Sequence, residues 1–312
     1  MKAIQLTAPS LAAFRPTELP QPQAGRGEVL LRLRAATLNF LDVAIATGNF
    51  AGAAFPLIPV ADGAGEVAAL GDGVSGLTVG DRVIPHFMPN WQGGAITPHN
   101  VGAMRGVTLP GSLAEYVVVP AASLVALPAH LDFVQGAALP IAATTAWNAV
   151  RSAPGRPGSV VLLLGTGGVS LFALQFAKAS GATVILASSS DDKLERARQL
   201  GADHLINYRA TPAWDGEVLK LTGGRGADLV VETVGGAPPS CARSMRRRWA
   251  ARSSPWALSA ARPPASTCCP SSSRLCASSA TIPVAWRTWP RRRMPSPRMA
   301  SRPEPGKPGL AR

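Results

Sequence analysis

A glycine-rich stretch between a predicted strand and a predicted helix carries the clearest chemical signal in this 312-residue chain. The apolar run Val160–Leu164 predicts a buried strand, and Gly165-Thr166-Gly167-Gly168-Val169 follows it directly and opens a helical spacing of apolar residues. Gly165 permits a tight turn, Gly167 lets the backbone approach a pyrophosphate, and Gly168 allows helix and strand to pack closely. The helix N-terminus adds free N–H groups that bind anions. The pattern predicts a dinucleotide-binding site, with a glycine-rich turn that binds nothing as the alternative.

Three consecutive serines follow the second predicted strand, at the position that distinguishes NAD from NADP. Proteins that bind NAD hold the ribose 2′-hydroxyl there with an acidic side chain, whereas this chain has Ser188-Ser189-Ser190. Hydroxyl groups and the nearby Lys193 could bind a 2′-phosphate that a carboxylate would repel. We therefore predict NADPH as the cofactor, with NADH as the second choice, because Ser190 and the two aspartates after it could equally serve as helix caps.

The motifs lie on two predicted units that differ in their secondary-structure pattern. Short alternating strands with glycine turns fill residues 1–130, which predicts a β-barrel, and the Gly- and Pro-rich stretch 89–110 predicts a surface loop. Residues 131–237 alternate strands with helices, which predicts part of a doubly wound parallel sheet, that is, an incomplete Rossmann domain. The expected fold class is therefore α/β, with a barrel preceding the Rossmann unit.

The positive charge is concentrated in the last part of the chain. The formal net charge is +13, and residues 238–312 contain 14 Arg, one Lys and one Glu, so residues 1–237 are nearly neutral. The same segment holds all four cysteines, 13 Pro and 13 Ser without a hydrophobic period, which predicts a disordered basic tail. This composition is also typical of a GC-rich gene read out of frame, so we hypothesise a frameshift near codon 237. The alternative function is an inactive cofactor-binding remnant whose tail binds nucleic acid without sequence specificity.

Composition argues against export and against a membrane partner. The N-terminus has no leader pattern, and no apolar run approaches the ~18 residues of a membrane-spanning helix. Residues 1–237 contain no cysteine, which fits a reducing cytoplasm, and the four histidines show no metal-ligand spacing. A small molecule is therefore the expected partner.

Residues 163–209 resemble the medium-chain dehydrogenase/reductase superfamily, in particular its zinc-independent alcohol dehydrogenase-like and quinone oxidoreductase branch. The resemblance extends over residues 1–237, and its further motifs lie at 36–42, 59–67, 80–83 and 139–147. It implies a GroES-like barrel, a Rossmann domain, an active site in the cleft between them and, as a common assembly in this superfamily, a homodimer.

The resemblance also implies that this chain does not use zinc. Zinc-dependent members place two cysteines and a histidine around the catalytic metal, and the matching positions here are Asn39, Ala61 and Ile141. The stretch 91–111 contains no cysteine where such members insert a four-cysteine structural zinc lobe. Neither a catalytic nor a structural zinc site is expected.

Residue roles follow from the resemblance as expectations. The reaction implied is direct hydride transfer between the nicotinamide and a quinone, enone, aldehyde or alcohol. Thr145 would lie by the nicotinamide, and Asn39 and Asp42 at the floor of the cleft, although Asp42 could instead bond backbone in its own loop. Ala44 stands where some quinone reductases have a tyrosine, so no proton donor is assigned. The expected cofactor-binding residues are Gly165, Thr166, Gly167, Gly168, Val169, Ser188, Ser189, Lys193, Tyr208 and Val234, with Lys193 and Tyr208 at the adenosine phosphate end.

Overall fold

The computed structural model describes residues 1–50, 52–93, 97–152, 157–233 and 248–250. Its first part consists of antiparallel sheets. The strands are β1 (Lys2–Leu6), β2 (Phe14–Glu18), β3 (Glu28–Thr37), β4 (Asp62–Leu70), β5 (Arg82–Pro85), β6 (Tyr116–Pro120) and β7 (Leu124–Ala126). β1 pairs with β2, and the other five form one sheet in the order β6-β3-β4-β5-β7. Its buried face includes Val29 and Leu31 of β3, because alternate strand residues point to the same side.

Two short helices lie in the connections between these strands. Helix α1 (Phe40–Ala46) begins directly after β3, and helix α2 (Pro98–Gly102) lies between β5 and β6. Short 3₁₀ turns at Leu11–Ala13 and Ala121–Ser123 complete this part. Asn39, in extended conformation, is the N-cap of α1, and its backbone N–H donates to Asp42 in the first turn of the helix.

The stretch 89–110 is not the surface loop that its composition predicts. Among its described residues, Trp91, Met104 and Val107 are buried in a hydrophobic cluster with Leu6 and Ile45. The Gly and Pro content correctly indicates irregular backbone, but it does not report burial. The apolar residues interspersed among the turns provide enough surface to pack this segment against the sheet.

The second part begins with helical turns and continues as a parallel sheet. The helices are α3 (Phe133–Ala137), a π-helix at Leu139–Ala143, α4 (Thr144–Ser152), α5 (Gly168–Ala179), α6 (Asp191–Gln199) and α7 (Trp214–Leu221). The strands are β8 (Val160–Leu164), β9 (Thr183–Ser188), β10 (His204–Asn207), β11 (Leu229–Glu232) and β12 (Arg248–Ala250). They pair in parallel in the order β10-β9-β8-β11-β12.

The strand order places a topological switch point between β8 and β11. Apolar clusters cover the sheet on both faces: Leu163 and Leu186 face one cluster, and Leu162 and Ile185 face the other. This explains why β8 is a continuous apolar run rather than an alternating one. In open α/β sheets, ligands bind outside the carboxyl ends of the strands at such a switch point. The predicted α/β fold class, a GroES-like barrel unit followed by a Rossmann unit, is confirmed, with antiparallel GroES-like sheets in the first part and a parallel Rossmann-type sheet in the second.

Strand β12 lies within the segment predicted to be a disordered tail. Its three residues pair in parallel with β11, with Arg248 opposite Val230 and Ala250 opposite Glu232. This strand differs from the predicted disorder. Pairing at a sheet edge uses backbone N–H and C=O groups, which any sequence without proline supplies. The rest of the predicted tail lies outside the described residues. No helix in the described part of the chain is long and apolar enough to cross a membrane.

Candidate functional site

The glycine turn leads from the sheet into helix α5, at whose start Gly167 and Gly168 are exposed. Gly165 has a positive φ of 90°, and its N–H donates to the Ala187 carbonyl at 2.8 Å, which anchors the turn to β9. Gly167 is the N-cap of α5 and supplies no side-chain cap. A Cβ atom built on Gly167 would meet nothing within 4 Å. The first-turn amides therefore lack a side-chain acceptor at the cap, as an anion-binding helix N-terminus requires.

The hydroxyl groups predicted to bind the cofactor lie at two different depths. Ser188 is buried, and its Oγ lies 3.4 Å from Thr166 Oγ1, so the end of β9 contacts the glycine turn. Ser189 is half-buried, and Ser190 is the N-cap of α6 without a side-chain cap bond. Ser189 and Ser190 therefore keep partly exposed hydroxyl groups beyond the end of β9, whereas the Ser188 hydroxyl contacts the glycine turn.

The remaining predicted cofactor residues surround the same sheet edge. Tyr208 donates its backbone N–H to the Ser188 carbonyl at 3.0 Å and is 40% exposed. Lys193 is exposed on the first turn of α6, and Val169 is half-buried on the first turn of α5. Val234 lies outside the described residues, but Thr233 just before it approaches Ser170 Oγ at 3.3 Å. The carboxyl ends of β8, β9 and β11 thus meet beside the glycine turn.

A second group of polar side chains is brought together around Asp62. Asn39 Nδ2 donates to Asp62 Oδ2 at 2.9 Å, and the backbone N–H of Ile141 donates to the same oxygen at 3.1 Å. Asn39 lies at the start of α1, Asp62 at the start of β4 and Ile141 in the π-helix. The π-helix also contacts α5, which begins at the glycine turn. Asp62 therefore connects the antiparallel part to the nucleotide-binding part.

Asp42 and Thr145 occupy different positions relative to this cluster. Asp42 is buried, and its Oδ2 accepts the Asn39 backbone N–H at 2.7 Å, as the carboxylate of a capping box does. This contact is the structural role that the sequence left open for Asp42. Thr145 is half-buried in the first turn of α4, four residues after Ile141. Burial raises the pKa of Asp42, and hydrogen bonds from Asn39 and Ala61 backbone oppose the rise.

Arg105 is the member of the cluster that the sequence did not indicate. It is 1% exposed, its Nη2 donates to Ser112 Oγ at 2.8 Å, and its Nε donates to the Ala61 carbonyl at 3.4 Å. Burial lowers the pKa of Arg105 to about 10, and attraction to Asp62 opposes this. Burial raises the pKa of Asp62 to about 8, while the hydrogen bonds from Asn39 and Ile141 and the charge of Arg105 lower it. We expect the guanidinium to stay protonated, since its intrinsic basicity is so high.

The comparisons with known proteins agree with this arrangement. A family model described as alcohol dehydrogenase GroES-like domain matches residues 25–129, and one described as zinc-binding dehydrogenase matches residues 168–247. A zinc-type alcohol dehydrogenase-like protein of Schizosaccharomyces pombe is 45% identical over 72% of this chain and 66% of its own length. The chloroplastic quinone-oxidoreductase QR1 of Triphysaria versicolor is 32% identical over 73% of this chain and 65% of its own. The crystal structure of a candidate alcohol dehydrogenase from Sinorhizobium meliloti 1021 is 40% identical, with a TM-score of 0.72 over 78% of this chain and 73% of its own.

The chain belongs to the medium-chain dehydrogenase/reductase superfamily. The chain spans 66% of the length of the fission-yeast relative, so the family assignment applies to the aligned part of the chain. The superfamily implies a nicotinamide cofactor, and the uncapped start of α5 beside the Gly167 opening fits its pyrophosphate.

The zinc site known from part of this superfamily does not fit the residues present. Ala61 and Ile141 have no donor atom in their side chains, and Asn39 directs its amide nitrogen toward Asp62. No group of three or more His, Cys, Asp or Glu side chains within the described ranges could hold a metal ion. A tetrahedral zinc site needs three or four such ligands. The hydrogen-bonded Asp62 carboxyl thus connects two of the three positions at which zinc-dependent members bind the metal.

His86 is buried and makes the chain sensitive to acid. Its Nδ1 donates to the Met88 carbonyl at 2.6 Å, and burial lowers its pKa from 6.5 to about 4. The unfolded chain therefore binds a proton that the folded chain does not bind between these two pH values. We expect the His86 contribution to the free energy of unfolding to be complete above about pH 6.5 and to fall by roughly 3 kcal/mol as the pH drops to about 4.

Urea denaturation at several pH values would measure this effect in the His86→Gln variant. The decline in unfolding free energy between about pH 6.5 and 4 should be smaller in this variant than in the wild-type chain, whatever its absolute stability. His99→Gln, at an exposed position, is the matched control and should keep the wild-type slope. Equal slopes in His86→Gln and the wild type would contradict the assignment.

Proposed function

We propose that this chain is a zinc-independent, NAD(P)H-dependent oxidoreductase that transfers hydride between the nicotinamide and a quinone, enone, aldehyde or alcohol. The observation that carries the proposal is the uncapped, unobstructed N-terminus of α5 at Gly167, next to a polar cluster that has no metal-ligand set. The names of the relatives, alcohol dehydrogenase-like protein and quinone-oxidoreductase, support this reaction class.

The proposed cofactor is NADPH, which would supply the hydride when bound. Gly165, Thr166, Gly167 and Gly168 would hold the pyrophosphate with backbone N–H groups. Ser189, with exposed Lys193 and Tyr208 nearby along the same edge, would bind the 2′-phosphate end. Charge favours this choice, because no carboxylate stands at the end of β9 to repel the phosphate.

The proposed substrate-side residues are Asn39, Asp42 and Thr145. Asn39 borders the cluster and is half-buried, so its amide could contact a substrate oxygen while it holds Asp62. Asp42 fixes the start of α1 and thereby positions Asn39. Thr145 would contact the nicotinamide from α4. Without a metal, positioning of the two reactants supplies most of the rate enhancement.

Fluorescence titration of the purified full-length chain with NADPH and with NADH tests the proposal, followed by oxidation of NADPH with a simple quinone and an enone. We expect saturable binding, tighter for NADPH, and turnover that survives dialysis against EDTA. Absence of any binding would favour the inactive remnant. Loss of turnover after chelation, restored by zinc, would show that the zinc-independent assignment is wrong.

Ser189→Asp should reverse the preference between the two cofactors. A carboxylate at the end of β9 would repel a 2′-phosphate and accept a hydrogen bond from a 2′-hydroxyl, so we expect roughly tenfold weaker NADPH binding and unchanged or tighter NADH binding. Fluorescence titration measures both constants. Ser189→Asn, whose side chain has nearly the size of aspartate without its charge, is the matched control and should change NADPH binding much less. Equal effects of the two variants would mean that side-chain size, rather than charge, determines NADPH affinity at this position.

The proposed setting is the reducing cytoplasm, with a small-molecule substrate and a homodimeric assembly. The absence of cysteine from residues 1–237 supports the first point, since that segment uses no disulfide. Light scattering coupled to size exclusion would test the assembly, and a monomer at micromolar concentration would contradict it.

A further inference from the structure

Three buried polar atoms in the Asp62 cluster have no hydrogen-bond partner. They are Asp42 Oδ1, Asp62 Oδ1 and Arg105 Nη1, within the part of the chain that the structure describes. Asp62 is 0% exposed and Arg105 1% exposed, so neither can turn to bulk solvent. Buried polar atoms of this kind are costly unless a proton, water or ligand meets them, and they concentrate at functional sites. The cluster therefore has unused hydrogen-bonding capacity next to Asn39.

Charge balance places one exchangeable proton in this cluster. Two carboxyl groups, Asp42 from α1 and Asp62 from β4, interact electrostatically with each other, and Asp62 interacts with the single guanidinium of Arg105. Thr37, paired with Asp62 on β3, does not titrate, and α3 and the π-helix contain no ionisable side chain. The arginines of the neighbouring strands, Arg32 and Arg34 of β3 and Arg82 of β5, lie beside Glu66, four residues further along β4. One positive charge balances only one carboxylate in a medium of low dielectric constant, so one carboxyl group stays protonated.

Asp62 is the better place for that proton. Both carboxyl groups accept hydrogen bonds and both have an Oδ1 without a partner among the described residues, but Asp42 is 7% exposed whereas Asp62 is 0% exposed, so burial disfavours the ionised form of Asp62 more strongly. Burial accordingly raises the pKa of Asp62 to about 8, so its neutral form prevails at neutral pH. A neutral Asp62 turns the orphaned Oδ1 into a hydroxyl donor.

We propose that Asp62 donates the proton consumed in carbonyl reduction, in the place where zinc-dependent relatives use a metal; this assignment rests on the proposed function. Asn39 and the Ile141 N–H hold Oδ2, which leaves Oδ1 to pass its proton to the substrate oxygen through one water, since Asp62 is 0% exposed. The carbonyl carbon accepts the hydride and its electron pair, and the C=O π pair moves to the oxygen. That oxygen takes a proton from the bridging water, and the water takes the proton of Asp62 as the O–H bond of the carboxyl group breaks. The remaining carboxylate, stabilised by the charge of Arg105, regains its proton through the same water after the product leaves.

The test compares the wild-type chain with the Asp62→Asn variant in the reduction of a simple ketone or quinone by NADPH. Asp72→Asn, on an exposed turn, is the matched control. We expect Asp62→Asn to lower kcat about 100-fold. In the wild type, kcat should decrease as the pH rises through the pKa of Asp62, and this decrease should be absent in the variant. The Kd for NADPH should stay within about twofold of wild type, since Asp62 contacts no predicted cofactor residue. Asp72→Asn should behave as wild type throughout.

Infrared difference spectroscopy gives a readout that does not depend on turnover. Wild type near neutral pH should show the C=O band of a protonated carboxyl group that disappears at alkaline pH, and Asp62→Asn should lack that band. An ionised Asp62 at neutral pH, or unchanged kcat and pH profile in Asp62→Asn, would overturn the assignment. If wild type shows the band but neither binds NADPH nor reduces substrate, the proposed function fails, and the donor role fails with it.

Discussion

Gly167→Asp should weaken NADPH binding roughly 1,000-fold, that is ~4 kcal/mol, the Coulomb energy of like charges ~4 Å apart at a protein surface. A Cβ on Gly167 meets no atom within 4 Å, so the new side chain fits without displacing its neighbours. Its carboxylate would, however, cap the free N–H groups of α5 and repel the pyrophosphate that needs them. Since Asp is a favourable N-cap residue, the free energy of unfolding should stay constant or rise by about 1 kcal/mol.

Fluorescence titration and urea denaturation measure these two effects on the same sample. Gly167→Asn is the matched control, because asparagine has nearly the same volume and capping ability without the charge. We expect its loss of NADPH affinity to be clearly smaller than that of Gly167→Asp. Undiminished NADPH binding by Gly167→Asp would place the cofactor elsewhere and remove the main support for the proposed function.

Arg105→Met should lower the free energy of unfolding by about 3–5 kcal/mol, the range for removing one partner from a buried charged network. The substitution keeps most of the side-chain volume but leaves Ser112 Oγ and the Ala61 carbonyl without the contacts that Arg105 makes. It also removes the positive charge that opposes the rise in the pKa of Asp62, so Asp62 should hold its proton to a higher pH.

Urea denaturation of three variants separates these contributions. Asp62→Asn/Arg105→Met should lose less stability than the sum of the two single variants, because each single change alters what the other group faces. Arg26→Met, at an exposed position, is the control and should stay within about 0.5 kcal/mol of wild type. A loss below about 1 kcal/mol in Arg105→Met would mean that the buried guanidinium contributes little.

The nucleotide-binding half could be predicted from the sequence because its signals are local. The turn at Gly165 and Gly167 joins strand β8 to helix α5 within about ten residues. A repeated alternation of apolar strands with helical periods predicts a parallel sheet. The short distance along the chain leaves few ways to arrange these residues. The serines at the end of β9 are local in the same sense, although only the structure separates buried Ser188 from accessible Ser189.

The polar cluster could not be predicted, because its members are far apart in the chain. Asn39 and Asp62 are 23 residues apart, and Asp62 and Ile141 are 79 residues apart. Asp62 lies in one of the motifs that carry the family resemblance, yet nothing local indicates that its carboxyl group bonds to the Asn39 side chain and to the Ile141 backbone. Arg105 gave no signal, since Gly- and Pro-rich sequence around a charged residue predicts solvent exposure.

By itself the sequence determined the order of the two units, the glycine turn with its cofactor class, and the absence of zinc-ligating side chains at the positions matched to the family. These properties depend on residue types and on neighbours along the chain. Only the tertiary structure decided that Arg105 is buried and that Asp62 joins the two halves. Burial and long-range hydrogen bonds depend on how the sheets and the π-helix pack, and this packing changes the ionisation of a carboxyl group that sequence alone would treat as an ordinary aspartate.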